Sequence, residues 1–143
     1  MPLPAQVLRE LERIVGAGGL VVSREGLLTY ECDMHTFYKG APDAVVLPES
    51  APQVAEIVRL CRRERVPIVP RGSGTGLIGG AMAPEGGVMV SMTRMNRIVE
   101  IDFANRCATV QPGLINLWLS NAVRERFNNA YRADIRLSKR LGG

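Results

Sequence analysis

The chain has 143 residues, enough for one ordinary domain with its own core and too few for two large ones. Its 46% apolar and 22% charged residues match a globular protein, and Arg, Glu, Gly or Pro interrupts every hydrophobic stretch before it reaches bilayer-spanning length, so no membrane span is expected. The net charge of +4 comes from residues 124–143, where six Lys and Arg meet two acids, whereas the charges of residues 1–123 balance; a nucleic-acid face is ordinarily spread over a folded surface, so no nucleic-acid partner is expected. Met1-Pro2-Leu3-Pro4 lacks a basic stretch followed by an apolar core, so it is not a secretory signal, and the expected compartment is the cytoplasm.

Residues 4–15 place Val7, Leu8, Leu11, Ile14 and Val15 on one face and Arg9, Glu10, Glu12 and Arg13 opposite, which predicts an amphipathic helix stopped by Gly16, Gly18 and Gly19. Extended pieces are expected near Leu20–Val22 and Leu27–Tyr30. Cys32, Cys61 and Cys107 are odd in number and far apart, so they read as small buried hydrophobes rather than a disulfide framework or zinc site. His35 is the only histidine, and with Asp33 alone beside it no metal site is expected. Ala44–Leu47 reads as a buried strand. Ser50 is placed to cap a following helix, with Pro52 in the first turn, Gln53 in the capping-box position, and Val54, Ile57, Val58 and Cys61 as the buried stripe. Pro67–Pro70 is the next strand, which makes a βαβ unit with a right-handed crossover.

Pro84, Gly86 and Gly87 exclude a helix over residues 81–87. Three strands follow, at Val88–Ser91, Arg97–Ile101 and Cys107–Gln111, the last two joined by a hairpin turn at Asp102-Phe103-Ala104-Asn105. Leu114–Val123 reads as a helix with Leu114, Leu117, Trp118 and Ala122 on one side. The fold class is α+β: a βαβ unit followed by an antiparallel hairpin, with helices packed on a small mixed sheet.

Chemistry is concentrated in Pro70-Arg71-Gly72-Ser73-Gly74-Thr75-Gly76-Leu77-Ile78-Gly79-Gly80, where five of eleven residues are glycine. Consecutive N–H groups in such a segment form a nest for phosphate oxygens, and the segment follows a strand's carboxyl end, where α/β sheets bind ligands. A Walker A loop needs Lys-Ser or Lys-Thr after its last glycine, and Gly80-Ala81 stands there instead. Gly74-Thr75-Gly76-Leu77-Ile78-Gly79 spells G-x-G-x-x-G, with Glu100 near the position of a ribose-binding acid, but that fingerprint requires a helix starting at the loop. What remains is a loop that wraps a diphosphate with backbone amides.

With Val45-Val46-Leu47-Pro48 before it and Met95-Asn96-Arg97-Ile98 and Gln111-Pro112-Gly113 after it, this loop resembles the FAD-linked oxidases of the vanillyl-alcohol oxidase superfamily, with a PCMH-type FAD-binding fold. Within that superfamily the chain is most similar to the flavin subunit of glycolate oxidase and to D-lactate dehydrogenases. Tyr30, Asp33 and Pro42 also fall where the pattern expects them, and the resemblance covers about residues 20–123. It implies that Pro70, Arg71, Gly72, Ser73, Gly74, Thr75, Gly76, Leu77, Gly79 and Gly80 wrap the FAD pyrophosphate. It places Pro48 near the adenine or ribose end and Gln111, Pro112 and Gly113 near the flavin. Some relatives attach the flavin covalently through a histidine in this loop; none is present here, which implies non-covalent FAD. The family oxidises 2-hydroxy acids by hydride transfer to the flavin, using a base and cations from a later cap domain, so no catalytic residue is assigned within residues 1–123.

The resemblance divides the chain into an N-terminal helix (1–19), a first part of an FAD-binding domain (20–123) and a basic, poorly ordered tail (124–143). Family members are far longer, so the chain reads as an out-of-frame or prematurely ended remnant that is inactive alone. The alternatives are a natural short subunit that docks partner subunits, or a non-catalytic nucleotide-binding module.

Overall fold

The computed structural model of the protein describes residues 3–34, 37, 39–126 and 128. His35 and the tail from residue 129 onward lie outside the described residues.

Helix α1 (Ala5–Val15) forms as its periodicity predicts and buries Val7, Leu11, Ile14 and Val15. The short strand β1 (Leu20–Val21) follows. Residues 24–30 are helical where an extended piece was expected: α2 (Arg24–Leu27) runs into a 3-10 turn at Leu28–Tyr30. The cause is local, since the Ser23 hydroxyl accepts the Gly26 N–H at 3.2 Å and so caps the first turn.

Strand β2 (Ala44–Val46) is wholly buried. Helix α3 (Ala51–Glu64) starts at Ser50, but the Ser50 side chain makes no capping bond. Gln53 does the work expected of the box in another way. Its Oε1 accepts the Glu49 N–H at 2.7 Å, and its Nε2 donates to the Ile14 carbonyl at the end of α1, 2.9 Å away. Gln53 is therefore spent on joining two helices. The buried face of α3 is Ile57, Leu60 and Cys61, and Val58 is exposed. Successive helical residues point about 100° apart, and the side of α3 that meets both α1 and the sheet is centred between Ile57 and Cys61, which turns Val58 outward.

Strands β3 (Ile68–Arg71) and β4 (Val88–Ser91) complete a sheet of order β1-β2-β4-β3, in which β2, β3 and β4 are parallel and β1 is antiparallel to β2. β4 thus inserts between the two strands of the βαβ unit. Its neighbours alternate strictly. Val46, Val88 and Val90 pack under α1 and α3, and Val45 and Met89 face Ala83, Leu27 and Tyr30 on the other side. Covering on both faces explains why β2 and β4 are unbroken apolar runs. Pro70 lies on the edge strand, where its missing N–H breaks no ladder.

The second sheet is the hairpin β5 (Ile98–Asp102) and β6 (Cys107–Val110), with a register irregularity between Ile98 and Glu100. Its turn reaches one residue beyond the expected four, because Arg106 takes the left-handed conformation at φ 55°. Asp102 Oδ1 accepts the Asn105 N–H at 3.0 Å, and that bond holds the Asp102 carboxyl below its usual pKa. Residues 116–126 form helix α4. The apolar side read from the sequence is largely exposed, with Leu117 62% and Trp118 47% exposed. Leu119 and Val123 instead border a cleft of about 330 Å³ against Ile101, Phe103, Cys107 and Ala108 of the hairpin. No described helix is long and apolar enough to cross a membrane.

The three cysteines are free thiols of different kinds: Cys61 is buried, Cys32 half-buried and Cys107 exposed on β6, so only Cys61 fully matches the buried expectation. Burial pushes the Cys61 thiol up to about 11, because a thiolate there has lost its water. The folded chain holds this proton more tightly than the unfolded chain. The resulting stability is complete below the ordinary thiol value near 8.5 and is lost as pH climbs toward about 11. Urea midpoints at about pH 8 and about pH 10.5 are expected to fall further apart in the wild type than in Cys61→Val. Equal separation in the two proteins contradicts the buried thiol's role.

Candidate functional site

The parallel register brings the sequence-predicted residues to one side of the sheet. Val46 and Pro70 both pair with Val90, and Arg71 pairs with Ser91, so β2, β3 and β4 end together. From those ends leave Leu47-Pro48, the glycine loop and the Met92–Arg94 turn. The segment Gln111–Gly113 returns to this edge by backbone pairing. Gly113 N–H donates to the Met95 carbonyl at 2.8 Å, Gln111 N–H donates to the Arg97 carbonyl at 2.9 Å, and Gln111 Oε1 accepts the Arg97 N–H at 3.0 Å. Gly113 lies so close to the Met92 carbonyl that no side chain fits there.

Within the loop, Pro70 is exposed, Arg71 is buried and residues 72–80 are exposed or half-buried, with Ile78 95% exposed. The hydrogen bonds of the described residues use none of the backbone N–H groups from Gly72 to Leu77. Ser73 Oγ and Thr75 Oγ1 lie 3.4 Å apart on the same stretch. A Cβ built on Gly72, Gly76 or Gly80 meets nothing within 4 Å, so the loop has an open side without side chains. Consecutive unspent amide donors, two hydroxyls and no acidic residue among 72–80 fit a diphosphate.

Two predicted residues sit differently from the rest. Pro48 is fully buried at the end of β2. Arg71 turns away from the open side: its Nη1 donates to the Cys32 carbonyl at 3.0 Å and to the Ala81 carbonyl at 3.1 Å, and its guanidinium lies 5.7 Å from the centre of the Tyr30 ring. The far end of the loop is held in a similar way, with Gly79 N–H donating to Asp33 Oδ2 at 2.9 Å and Met34 N–H to the Gly76 carbonyl at 3.3 Å. Sequence reasoning did not assign these partners. They lie about forty residues upstream, and nothing local in Tyr30–Met34 marks them as a support for the loop.

Unspent amides at the carboxyl ends of parallel strands, followed by an antiparallel hairpin, give an α+β domain whose loop fits a diphosphate-bearing ligand. Residues 42–134 match the FAD binding domain family, and the chain belongs to that family. The match runs past Val123, where the motif-based resemblance ends. Among curated relatives, the chain is 42% identical over 120 residues to the glycolate oxidase subunit GlcD of Bacillus subtilis, covering 84% of this chain and 26% of the relative. It is 44% identical over 117 residues to the Escherichia coli K12 GlcD subunit, covering 82% and 23%. A D-2-hydroxyglutarate dehydrogenase of Stutzerimonas stutzeri is 34% identical over 120 residues, covering 84% and 26%. The chain therefore spans about a quarter of the length of these relatives.

Among solved structures, alkyldihydroxyacetonephosphate synthase superposes with a TM-score of 0.76 at 25% identity, covering 87% of this chain and 28% of that one. Substrate-bound p-cresol methylhydroxylase superposes with a TM-score of 0.75 at 25% identity, covering 85% and 24%. The expected PCMH-type fold, the likeness to glycolate oxidase subunits and D-lactate dehydrogenases, and FAD as cofactor are borne out.

Proposed function

We propose that this chain supplies the diphosphate-gripping part of a flavin-dependent oxidoreductase that acts on 2-hydroxy acids. The observation that carries the reading is the run of unspent N–H groups from Gly72 to Leu77 at the end of β3. The relatives support the substrate class, because glycolate, D-lactate and D-2-hydroxyglutarate, named for three of them, are all 2-hydroxy acids. Bound FAD supplies the hydride acceptor. The residues proposed to hold it are Gly72–Leu77 with Gly80 around the diphosphate, Gly79 lining the same turn while its N–H bonds to Asp33, and Gln111–Gly113 toward the flavin. The loop contains no histidine that could bond to the flavin.

Two measurements test the reading. Titrating the purified chain with FAD, followed by flavin fluorescence, is expected to give saturable binding that ADP competes for. Tight binding of ATP or NAD with no preference for FAD favours the non-catalytic nucleotide module instead. For the flavin-presenting role, residues 20–123 replace the matching segment of the Bacillus subtilis GlcD subunit, whose own later part then supplies the substrate site. The chimera is expected to retain flavin and to bleach it anaerobically with glycolate. A chimera that keeps flavin but does not bleach shows that this segment does not present the flavin as the glycolate oxidase segment does.

A further inference from the structure

We propose that Arg71 and Asp33 are positioning residues that hold the cofactor loop from behind, and that Arg71, the loop's only cation, does not itself touch phosphate; this rests on the FAD reading of the loop. Arg71 is 9% exposed, its Nη1 is committed to two carbonyls, and its guanidinium lies 5.7 Å from the centre of the Tyr30 ring. The carbonyls belong to Cys32, on the upstream segment, and to Ala81, where the loop ends. One nitrogen of Arg71 therefore ties the root of the loop to its end and both to the upstream segment. Gly74, at φ 73°, curls over this side chain so closely that a Cβ there overlaps the guanidinium. Arg71 thus supports the nest from its closed side, while the open side carries the amides.

Asp33 completes the brace. Its carboxylate is buried, and Oδ2 accepts the Gly79 N–H at 2.9 Å. A carboxylate beside a diphosphate site is electrostatically unfavourable for the ligand, so its presence is explained by what it does to the backbone. A bond from a charged acceptor is among the stronger hydrogen bonds, and this one fixes the orientation of the peptide at the loop's second turn. Lysine is a poor substitute for Arg71, since an ammonium lacks the planar face that the guanidinium sets against Tyr30.

The two residues carry opposite charges, and that separates positioning from direct electrostatics. If the loop is positioned from behind, Arg71→Met, Arg71→Lys and Asp33→Ala each weaken FAD binding by about tenfold or more, the scale of losing one or two buried charge-assisted bonds. If Arg71 acts as a phosphate ligand, Arg71→Lys retains much of the affinity, and Asp33→Ala tightens binding by removing a like charge. Either of those results overturns the proposal. The second arm needs no ligand. In the free chain, amide exchange at Gly79 is expected to accelerate at least tenfold in Arg71→Met and Asp33→Ala, while Val45 and Val90 in the sheet keep their rates. Unchanged exchange at Gly79 in Arg71→Met overturns the brace. Faster exchange at all three sites marks general destabilisation and also counts against it. Should the wild-type chain bind no FAD, the reading of the site fails on its own, and the exchange arm still decides the brace.

Discussion

Replacing Gly87 with alanine is expected to destabilise the fold by about 3–5 kcal/mol, in the range reserved for backbone disruption. Gly87 opens β4, the strand between β2 and β3, and adopts φ 85°. An alanine in that conformation costs roughly 1–2 kcal/mol by itself. Its Cβ also runs into the Pro67 carbonyl and ring, immediately before β3. The same residue ties β4 to the start of β2: its carbonyl accepts the Asp43 N–H at 2.8 Å, and its N–H donates to Asp43 Oδ2 at 2.7 Å. Relieving the clash means moving β3 away from β4, including the Val88 N–H bond to Pro67, and each ladder bond lost costs about another 1 kcal/mol. With total stabilities commonly about 5–15 kcal/mol, this leaves a chain that is partly unfolded at 37 °C. Urea denaturation followed by circular dichroism measures it. A midpoint close to wild type shows that the β3–β4 contact at Pro67 yields easily.

Gly76→Val is expected to do the reverse, leaving the fold intact and removing FAD binding. Gly76 is exposed, its φ lies outside the left-handed region, and a Cβ there meets no protein atom within 4 Å. A surface change of this kind shifts stability by about 0.5 kcal/mol or less. The isopropyl group projects from the middle of the run of free amides and competes with the diphosphate for the open side. Losing two charge-assisted bonds to the ligand lowers affinity by about a hundredfold or more. Flavin fluorescence titration beside a thermal melt separates the two effects. A variant that melts like wild type and binds FAD equally well locates the diphosphate away from this loop. Gly87 and Gly76 are indistinguishable as letters in the chain, and their surroundings give them opposite roles.

The local pattern of residues by itself determined a good deal of this protein. The α1 helix, the strands β2, β3 and β4, the hairpin and the absence of a helix after the glycine loop are all set by interactions within a few residues: apolar periodicity, proline, and turn chemistry. The purpose proposed for the loop also starts from the sequence, where five glycines and two hydroxyls fall within eleven residues. What only the tertiary structure decided involves partners far apart in the chain. These include the insertion of β4 between β2 and β3, the rotation of α3 that buries Leu60 rather than Val58, and the second bond by which Gln53 joins its own helix start to the end of α1. The turning of Arg71 onto Cys32 and Ala81 belongs with them. In the sequence Arg71 stands amid the phosphate loop as its one cation and reads as an anion ligand. The fold places acceptor carbonyls and an aromatic ring behind the loop, and a buried guanidinium must satisfy its donors where the acceptors are. Sequence neighbours specify which backbone can bend, while the packing of distant segments specifies which way a long polar side chain turns.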